Sequence, residues 1–380
     1  MSRRLRRYQN RQLKRKVNLV TRNSRIGSVN DIFSFENVYR AGRSSCKNVR
    51  WKNSTQRFET HLFSETATQR RNVLSGKWTP EKYFHFIISE RGKTRDIDAP
   101  KIQDRQIFKL YTRNVLLPLY TPQMIYNNGA SLPGKGLAFS QRLLKQDLMR
   151  HYKRYGCEGH IILIDFRKFF PSVSHEEILN RHKRLILNPE LRHIGDVIVN
   201  SNHRDTGMPL GVEPSQAEMI AFPSALDNYI KCQLSIKGAG HYMDDYYVLI
   251  PPDKDPKRLL NLIVQKANDL KLTVNLQKTQ IKPLTNPFRY CKAKYTLCDS
   301  GKIIVNCNKD TVKRDRRKLK SFYQKVKNGE MSYEDLRLAV NGMMAYLSRF
   351  DDHNKVLRLH RLFYALFGFS LERTENFRQA

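Results

Sequence analysis

Two adjacent carboxylates, Asp244 and Asp245, sit inside the apolar and aromatic run Gly240-His241-Tyr242-Met243-Asp244-Asp245-Tyr246-Tyr247-Val248-Leu249-Ile250. Aromatic and β-branched residues on both sides predict two strands meeting at a tight turn. In an extended chain neighbouring side chains point to opposite faces, so only a turn lets both acids approach one point. Side by side they repel by about 1 kcal/mol in water at 4 Å, and by about 4 kcal/mol at an effective dielectric of 20. A hydrophobic hairpin that keeps such a pair either leaves it on a solvated surface turn or gives it a cation to bind. Hard oxygen ligands favour Mg²⁺ or Mn²⁺.

Bulk charge selects between these readings. The 380 residues include 69 Lys and Arg against 35 Asp and Glu, a net charge of +34. Self-repulsion of that size disfavours a compact state unless a polyanion offsets it, so nucleic acid is the expected partner. An anionic membrane is the rival, but no apolar run approaches the length of a bilayer span, and no membrane association is expected. No apolar segment follows the N-terminal charges, so a secretory signal is not expected. Cys46, Cys157, Cys232, Cys291, Cys298 and Cys307 are dispersed and form no CxxC pair. They read as reduced thiols of a cytoplasmic protein, with no zinc site.

Residues 1–27 carry ten Lys or Arg and no acid. They form a basic arm, either a solvated tail or an RNA-contacting one, with Arg3, Arg4, Arg6, Arg7, Lys14, Arg15 and Lys16 as the candidate contacts. Helices are expected over 29–41 and 55–74. A hairpin is expected over 78–97, breaking at Glu90-Arg91-Gly92-Lys93, where Arg91, Lys93 and Arg95 line either a solvated edge or a phosphate. Helices follow over 102–119 and 137–155, with a loop over 127–136 between them. Ile161–Ile164 is a buried strand ending in Asp165, an acid costly at that position without a cation. Further expectations are a helix over 175–187, a glycine-punctuated loop over 205–211, a long helix from Pro214 to about Leu234 and a helix over 257–270. A strand is expected over 272–276, others over 288–297 and 303–305, and a helical unit from about 310, with a capping-box start at Ser332 and Asp335. Lys313, Arg314, Arg316 and Arg317 of that unit are candidate RNA contacts.

Asp165 stands about 80 residues before Asp244 and Asp245. Two strands of one sheet would bring the three together. Carboxylates from two places that hold two divalent ions serve in-line nucleotidyl transfer, with one metal on a 3′-hydroxyl and the other on the triphosphate. Lys278, beyond the strand at 272–276, is placed to protonate leaving pyrophosphate.

These residues resemble the reverse transcriptases. Asp165-Phe166-Arg167-Lys168-Phe169-Phe170 is similar to polymerase motif A, with Phe170 where the family keeps a steric gate against ribonucleotides. Residues 207–216 are similar to motif B, Tyr242-Met243-Asp244-Asp245 to motif C, and 275–279 with Lys278 to motif D. The resemblance implies metal ligation by Asp165, Asp244 and Asp245. It implies dNTP contacts from Lys93, Arg95, Phe166, Phe170, Leu210, Gly211, Ser215 and Gln216. It covers roughly 80–300, with every motif in order. Leu210-Gly211-Val212-Glu213-Pro214-Ser215-Gln216 further resembles motif B of diversity-generating retroelement enzymes. Those enzymes work with a non-coding template RNA and a small basic accessory protein. Glu218-Met219 replaces the usual Ala-Asn, and Phe288-Arg289-Tyr290-Cys291 replaces a Leu-Gly primer grip. Both departures keep an anti-phage defence enzyme open as the alternative, beside a non-catalytic RNA-binding scaffold.

The implied architecture is α+β, a right-hand polymerase. It comprises a basic arm over 1–27, N-terminal extension and fingers over 28–160, a palm with an antiparallel sheet over 161–308, and a helical thumb over 309–380. Implied ligands are template RNA and primer, dNTPs, cDNA product and two Mg²⁺ ions, or Mn²⁺ in their place.

Overall fold

The computed structural model describes residues 3–369 apart from Arg91 and His203, and describes only the backbone of 3–9, Glu90 and Lys93. The expected contacts through the side chains of Arg3, Arg4, Arg6, Arg7 and Lys93, and through Arg91, therefore lie outside the described residues. The acidic hairpin forms as its pattern predicts. Ala239–Tyr242 (β4) and Asp245–Ile250 (β5) pair antiparallel, and β5 also pairs with His160–Ile164 (β3). Gln280–Pro283 (β6) closes a four-stranded antiparallel sheet of order β4-β5-β3-β6. The apolar runs lack polar alternation because both sheet faces are covered. Ile161, Leu163, Tyr247 and Leu249 pack with Leu144 and Leu148 of the helix Leu137–Tyr155. Ile162, Ile164, Tyr246 and Val248 pack on the other side with Ile178, Met219 and Ile263.

A separate two-stranded hairpin is formed by Phe84–Glu90 (β1) paired with Lys93–Ala99 (β2). Its base is pinned to the 205–211 loop by Asp98 N–H donating to the Leu210 carbonyl at 3.1 Å. Phe288–Tyr290 (β7), Ala293–Leu297 (β8) and Ile303–Cys307 (β9) form a three-stranded sheet. This sheet shares one core with the helices Lys309–Lys327, Tyr333–Leu347 and His353–Phe367. The basic arm is a helix, Arg3–Ser24, whose last turns are anchored. Leu19 packs on the core formed by Ile107, Leu116 and their neighbours, and Asn23 bonds both the Leu185 carbonyl at 3.0 Å and the Leu187 N–H at 2.9 Å.

The structure corrects several expected boundaries. The strand expected over 272–276 reduces to one bridge, Phe166 to Val274. The chain turns at Asn275, whose carbonyl accepts the N–H groups of Lys278 and Thr279, and the strand forms after the turn as β6. The long helix from Pro214 breaks into Glu213–Ala221 and Ser224–Asn228, because Pro223 cannot supply the N–H that would continue it. Between the expected helix over 175–187, observed as His175–Leu185, and the glycine loop lies an unanticipated helix, Pro189–Asn200. Its signal was Asn188-Pro189: the Asn188 side chain accepts the Leu191 N–H at 3.0 Å, and proline occupies the first turn.

Glu218 departs from the motif B pattern for a visible reason. Its carboxylate is buried and accepts Tyr120 OH at 2.8 Å and His182 Nε2–H at 2.9 Å. Asp196 takes the other imidazole nitrogen at 2.8 Å. Burial works against the imidazolium, but Glu218 and Asp196 outweigh it and hold His182 at about 9, above its ordinary 6.5. The stability this pair contributes is fully present below the ordinary value and is lost as pH rises through the raised one. Glu218→Gln is expected to lower unfolding stability by about 1–3 kcal/mol near neutral pH, the cost of a weakened buried charge-assisted bond. It should also move the alkaline loss of stability to lower pH. Thermal melts of the variant that overlay wild type between about pH 6 and pH 10 would contradict this.

Candidate active site

The pairing of Tyr242 with Asp245 leaves Met243 and Asp244 as a two-residue turn. Met243 has φ +56°, a left-handed conformation that costs a non-glycine residue on the order of 1 kcal/mol or more. What fixes the turn lies directly beneath it. His241 Nδ1–H donates to the Met243 carbonyl at 3.0 Å, and its Nε2 meets Asp227 Oδ2 at 3.2 Å. Tyr246 OH donates to the other Asp227 oxygen at 2.9 Å, and its ring stacks on His241 with centroids 4.4 Å apart. His241 and Asp227 are both buried. Neither was singled out from the sequence, where an Asp and a His 14 residues apart carry no pattern.

The third acid follows from register. Ile164 pairs with Tyr246, so one further step along the ladder sets Asp165 across from Asp245, their side chains on the same face. Like charges at such positions repel. Each acid is separately held. Cys291 N–H donates to Asp245 Oδ2 at 3.0 Å, from a β7–β8 turn in which Cys291 and Lys292 both have positive φ. Asn275 Nδ2–H donates to Asp165 Oδ2 at 3.2 Å, and Lys278 Nζ stands 3.6 Å from the same oxygen. Burial pushes the Asp245 carboxyl up to about 7; Cys291 N–H opposes the rise, and the charges of Asp244 and Asp165 add to it.

Asp165, Asp245 and Lys278 line a cleft of about 660 Å³ between the four-stranded sheet, the β7–β9 sheet and the start of the helix Lys309–Lys327. Lys282, Arg289, Lys294, Lys309 and Lys355 share its walls. Among the described residues no three His, Cys, Asp or Glu side chains close a metal site by themselves. The donors present nevertheless suit a hard divalent ion. They are carboxylate oxygens, and Asp245 is a buried acid whose neighbours are two further carboxylates rather than a cation. An ion bound here would be completed by substrate oxygens.

The other expected site residues separate into groups. Arg95, Leu210 and Gly211 lie at the β1–β2 hairpin and the loop bonded to it, and do not line the cleft. Gln216 is exposed, with Ser131 Oγ–H donating to its side-chain oxygen at 3.2 Å. Two expected dNTP contacts are buried: Phe166 packs edge-on to Tyr246 in the core beside the four-stranded sheet, and the Ser215 side chain is fully buried, so neither offers its side chain to the cleft. In the helix Lys309–Lys327 Lys313, Arg316 and Arg317 are exposed at helical spacing, whereas Arg314 is half-buried and donates to Thr311 Oγ1 at 3.1 Å.

Comparison with known proteins now bears on this geometry. Residues 85–293 match the family model described as reverse transcriptase (RNA-dependent DNA polymerase), more than half of the chain. The chain belongs to the reverse transcriptase family. The reverse transcriptase match starts within β1 and ends at the first residue of β8, so it contains all three acids and the whole four-stranded sheet that carries them. The fold is the right-hand polymerase class. Among solved structures, one of telomerase from Candida albicans in complex with a TWJ fragment of telomeric RNA aligns at 12% identity with a TM-score of 0.47. That alignment covers 79% of this chain and 60% of the telomerase chain, so this chain spans less than two thirds of its length. No curated protein matches.

Proposed function

We propose that the protein is an RNA-directed DNA polymerase that copies a dedicated RNA into cDNA by two-metal nucleotidyl transfer. The observation that carries this reading is the register that sets Asp165 across from Asp245, beside Asp244, at the mouth of a basic cleft. Asp165, Asp244 and Asp245 would hold the ions, Mg²⁺ or Mn²⁺, which lower the pKa of a primer 3′-hydroxyl and neutralise the triphosphate. The Cys291 N–H and the Asn275 amide fix where two of the carboxylates sit. Lys278 Nζ, beside Asp165, is placed to deliver a proton to the leaving pyrophosphate. The basic cleft wall suits the phosphates of primer and template. On this reading 1–27 is an arm, 28–160 extension and fingers, 161–308 palm and 309–380 thumb, in a cytoplasmic enzyme. The test is Mg²⁺-dependent incorporation of labelled dNTP on a primed RNA; no incorporation by folded protein would overturn the reading.

The Leu210-to-Gln216 segment supports a diversity-generating retroelement enzyme, working with a non-coding RNA and a small accessory protein. Buried Glu218 and the Tyr290-Cys291 turn, at the two positions that depart from that pattern, support an anti-phage defence enzyme as the alternative. Neighbouring genes discriminate: a template and variable repeat pair favours the first, a defence island the second.

RNA affinity is expected to depend on the arm. Lys14, Arg15 and Lys16 are exposed, and deleting residues 1–16 removes eight cations while keeping the Leu19 and Asn23 anchors. The slope of log affinity against log salt should become shallower by up to about 0.7 per lost contact for single-stranded RNA. An unchanged slope would make the arm a solvated tail.

A further inference from the structure

We propose that a second pocket, behind the fingers hairpin and apart from the catalytic cleft, is a phosphate-binding site built by Lys47, Arg105 and Lys109. The cavity is about 300 Å³ and sits at a seam of three segments. Ser44, Ser45 and Lys47 come from the C-terminal end of the helix Phe35–Ser45 and the turn after it. Arg105 and Lys109 lie one turn apart on the helix Asp104–Tyr111. Gly211 closes the third side at φ +106°, in the loop that the fingers hairpin grips through Leu210.

The charge balance is what a ligand must answer. Three cations face the cavity, and the one acid in its lining, Glu213, already accepts from Arg113 Nε at 3.3 Å. Ser44 and Ser45 both donate their hydroxyl protons to the Ala41 carbonyl, so the donors left to a ligand are ammonium and guanidinium N–H groups. Among the described residues Lys109 Nζ has one acceptor, Ser44 Oγ at 2.8 Å. Burial holds the Lys109 ammonium below its ordinary range; Arg113 and Arg105 press the same way, and Glu213 opposes them. A dianion seated among these groups removes the mutual repulsion and supplies the missing acceptors.

Phosphate can arrive from an RNA backbone or from the triphosphate of a nucleotide, and the test separates the two. The variants are Lys47→Gln, at an exposed position, and Lys47→Gln/Lys109→Met, which replaces a charge that burial already disfavours. Affinity for a fluorescein-labelled primed RNA is measured in an Asp244→Asn background, and the KM for dNTP in the wild-type background. A loss of RNA affinity of about tenfold or more, with a salt slope smaller by about 0.7 per removed cation, assigns the site to backbone phosphate. A raised KM with unchanged RNA affinity assigns it to the nucleotide. Neither change, in variants that melt like wild type, overturns the site. The RNA and dNTP arms rest on the proposed polymerase reading. If wild-type protein neither binds RNA nor incorporates nucleotide, that reading fails and inorganic tripolyphosphate decides the pocket alone. It should protect Lys47 and Lys109 of the full chain from acetylation, and absence of protection overturns the site.

Discussion

Asp245→Asn and Asp244→Asn should each bring nucleotide incorporation below about 1% of wild type, a barrier increase of roughly 2.7 kcal/mol or more. The fold should survive. An asparagine at 245 still offers the Cys291 N–H an oxygen, and it removes one of two like charges placed opposite each other on the β3–β5 ladder. The sign of the effect on stability follows from burial. Asp245 in the folded, metal-free protein sits at about 7, above the ordinary 3.8 it regains on unfolding. The folded state therefore binds the extra proton between those values. Its contribution to stability is complete below the ordinary value and is lost as pH rises through about 7. Melts in chelator should show wild type losing stability from about pH 5 to pH 8 more steeply than Asp245→Asn. Activity above that residual level in either variant would remove the metal assignment. Parallel pH curves would mean that Asp245 is not the buried, charge-crowded acid described here.

The parts of this site that depend on local pattern were legible in the sequence. The apolar run ending at Asp165 and the hairpin around Asp244 needed only short aromatic and β-branched runs and turn chemistry. The helix Leu137–Tyr155 matches its expected span, and Lys309–Lys327 opens the helical unit expected from about 310, because amphipathic spacing specifies them locally. What holds the acids was not legible. His241 reaches Asp227 across a helix–strand turn, Asn275 reaches Asp165 across 110 residues, and the Cys291 N–H reaches Asp245 from another sheet. Backbone donors leave no trace in residue identity, and a lone buried histidine looks the same whether or not it supports a turn. The 272–276 segment misled because Leu272 and Val274 are buried as a strand's residues would be, yet only one bridge forms, flanked by the Asn275 N–H to Asp165 and Arg167 N–H to Thr273 carbonyl bonds, before the chain turns at Asn275. Glu218 was visible as a departure, but its partners come from two other helices.

Phe169→Ala and Phe170→Ala should fail in opposite ways. On a strand the two side chains would alternate, but Lys168 takes φ +45° and a short helix, Phe169–Ser172, begins at once. Phe169 is consequently buried in the palm core, its ring 5.7 Å from Phe166, whereas Phe170 is half-buried at the core's rim and edge-on to Phe169 at 6.1 Å. Truncating Phe169 removes a fully packed ring and should cost about 3–5 kcal/mol, seen as a large fall in melting temperature. Truncating Phe170 removes less buried surface. If its exposed face is the wall that a 2′-hydroxyl would strike, the variant should accept rNTP while kcat/KM for dNTP changes little. Discrimination by steric exclusion disappears with the bulk, and stability does not fall in proportion. The measurements are paired melts and rNTP against dNTP incorporation on both variants. A melt that collapses for Phe170→Ala with selectivity intact would make Phe170 a core residue and move the gate elsewhere.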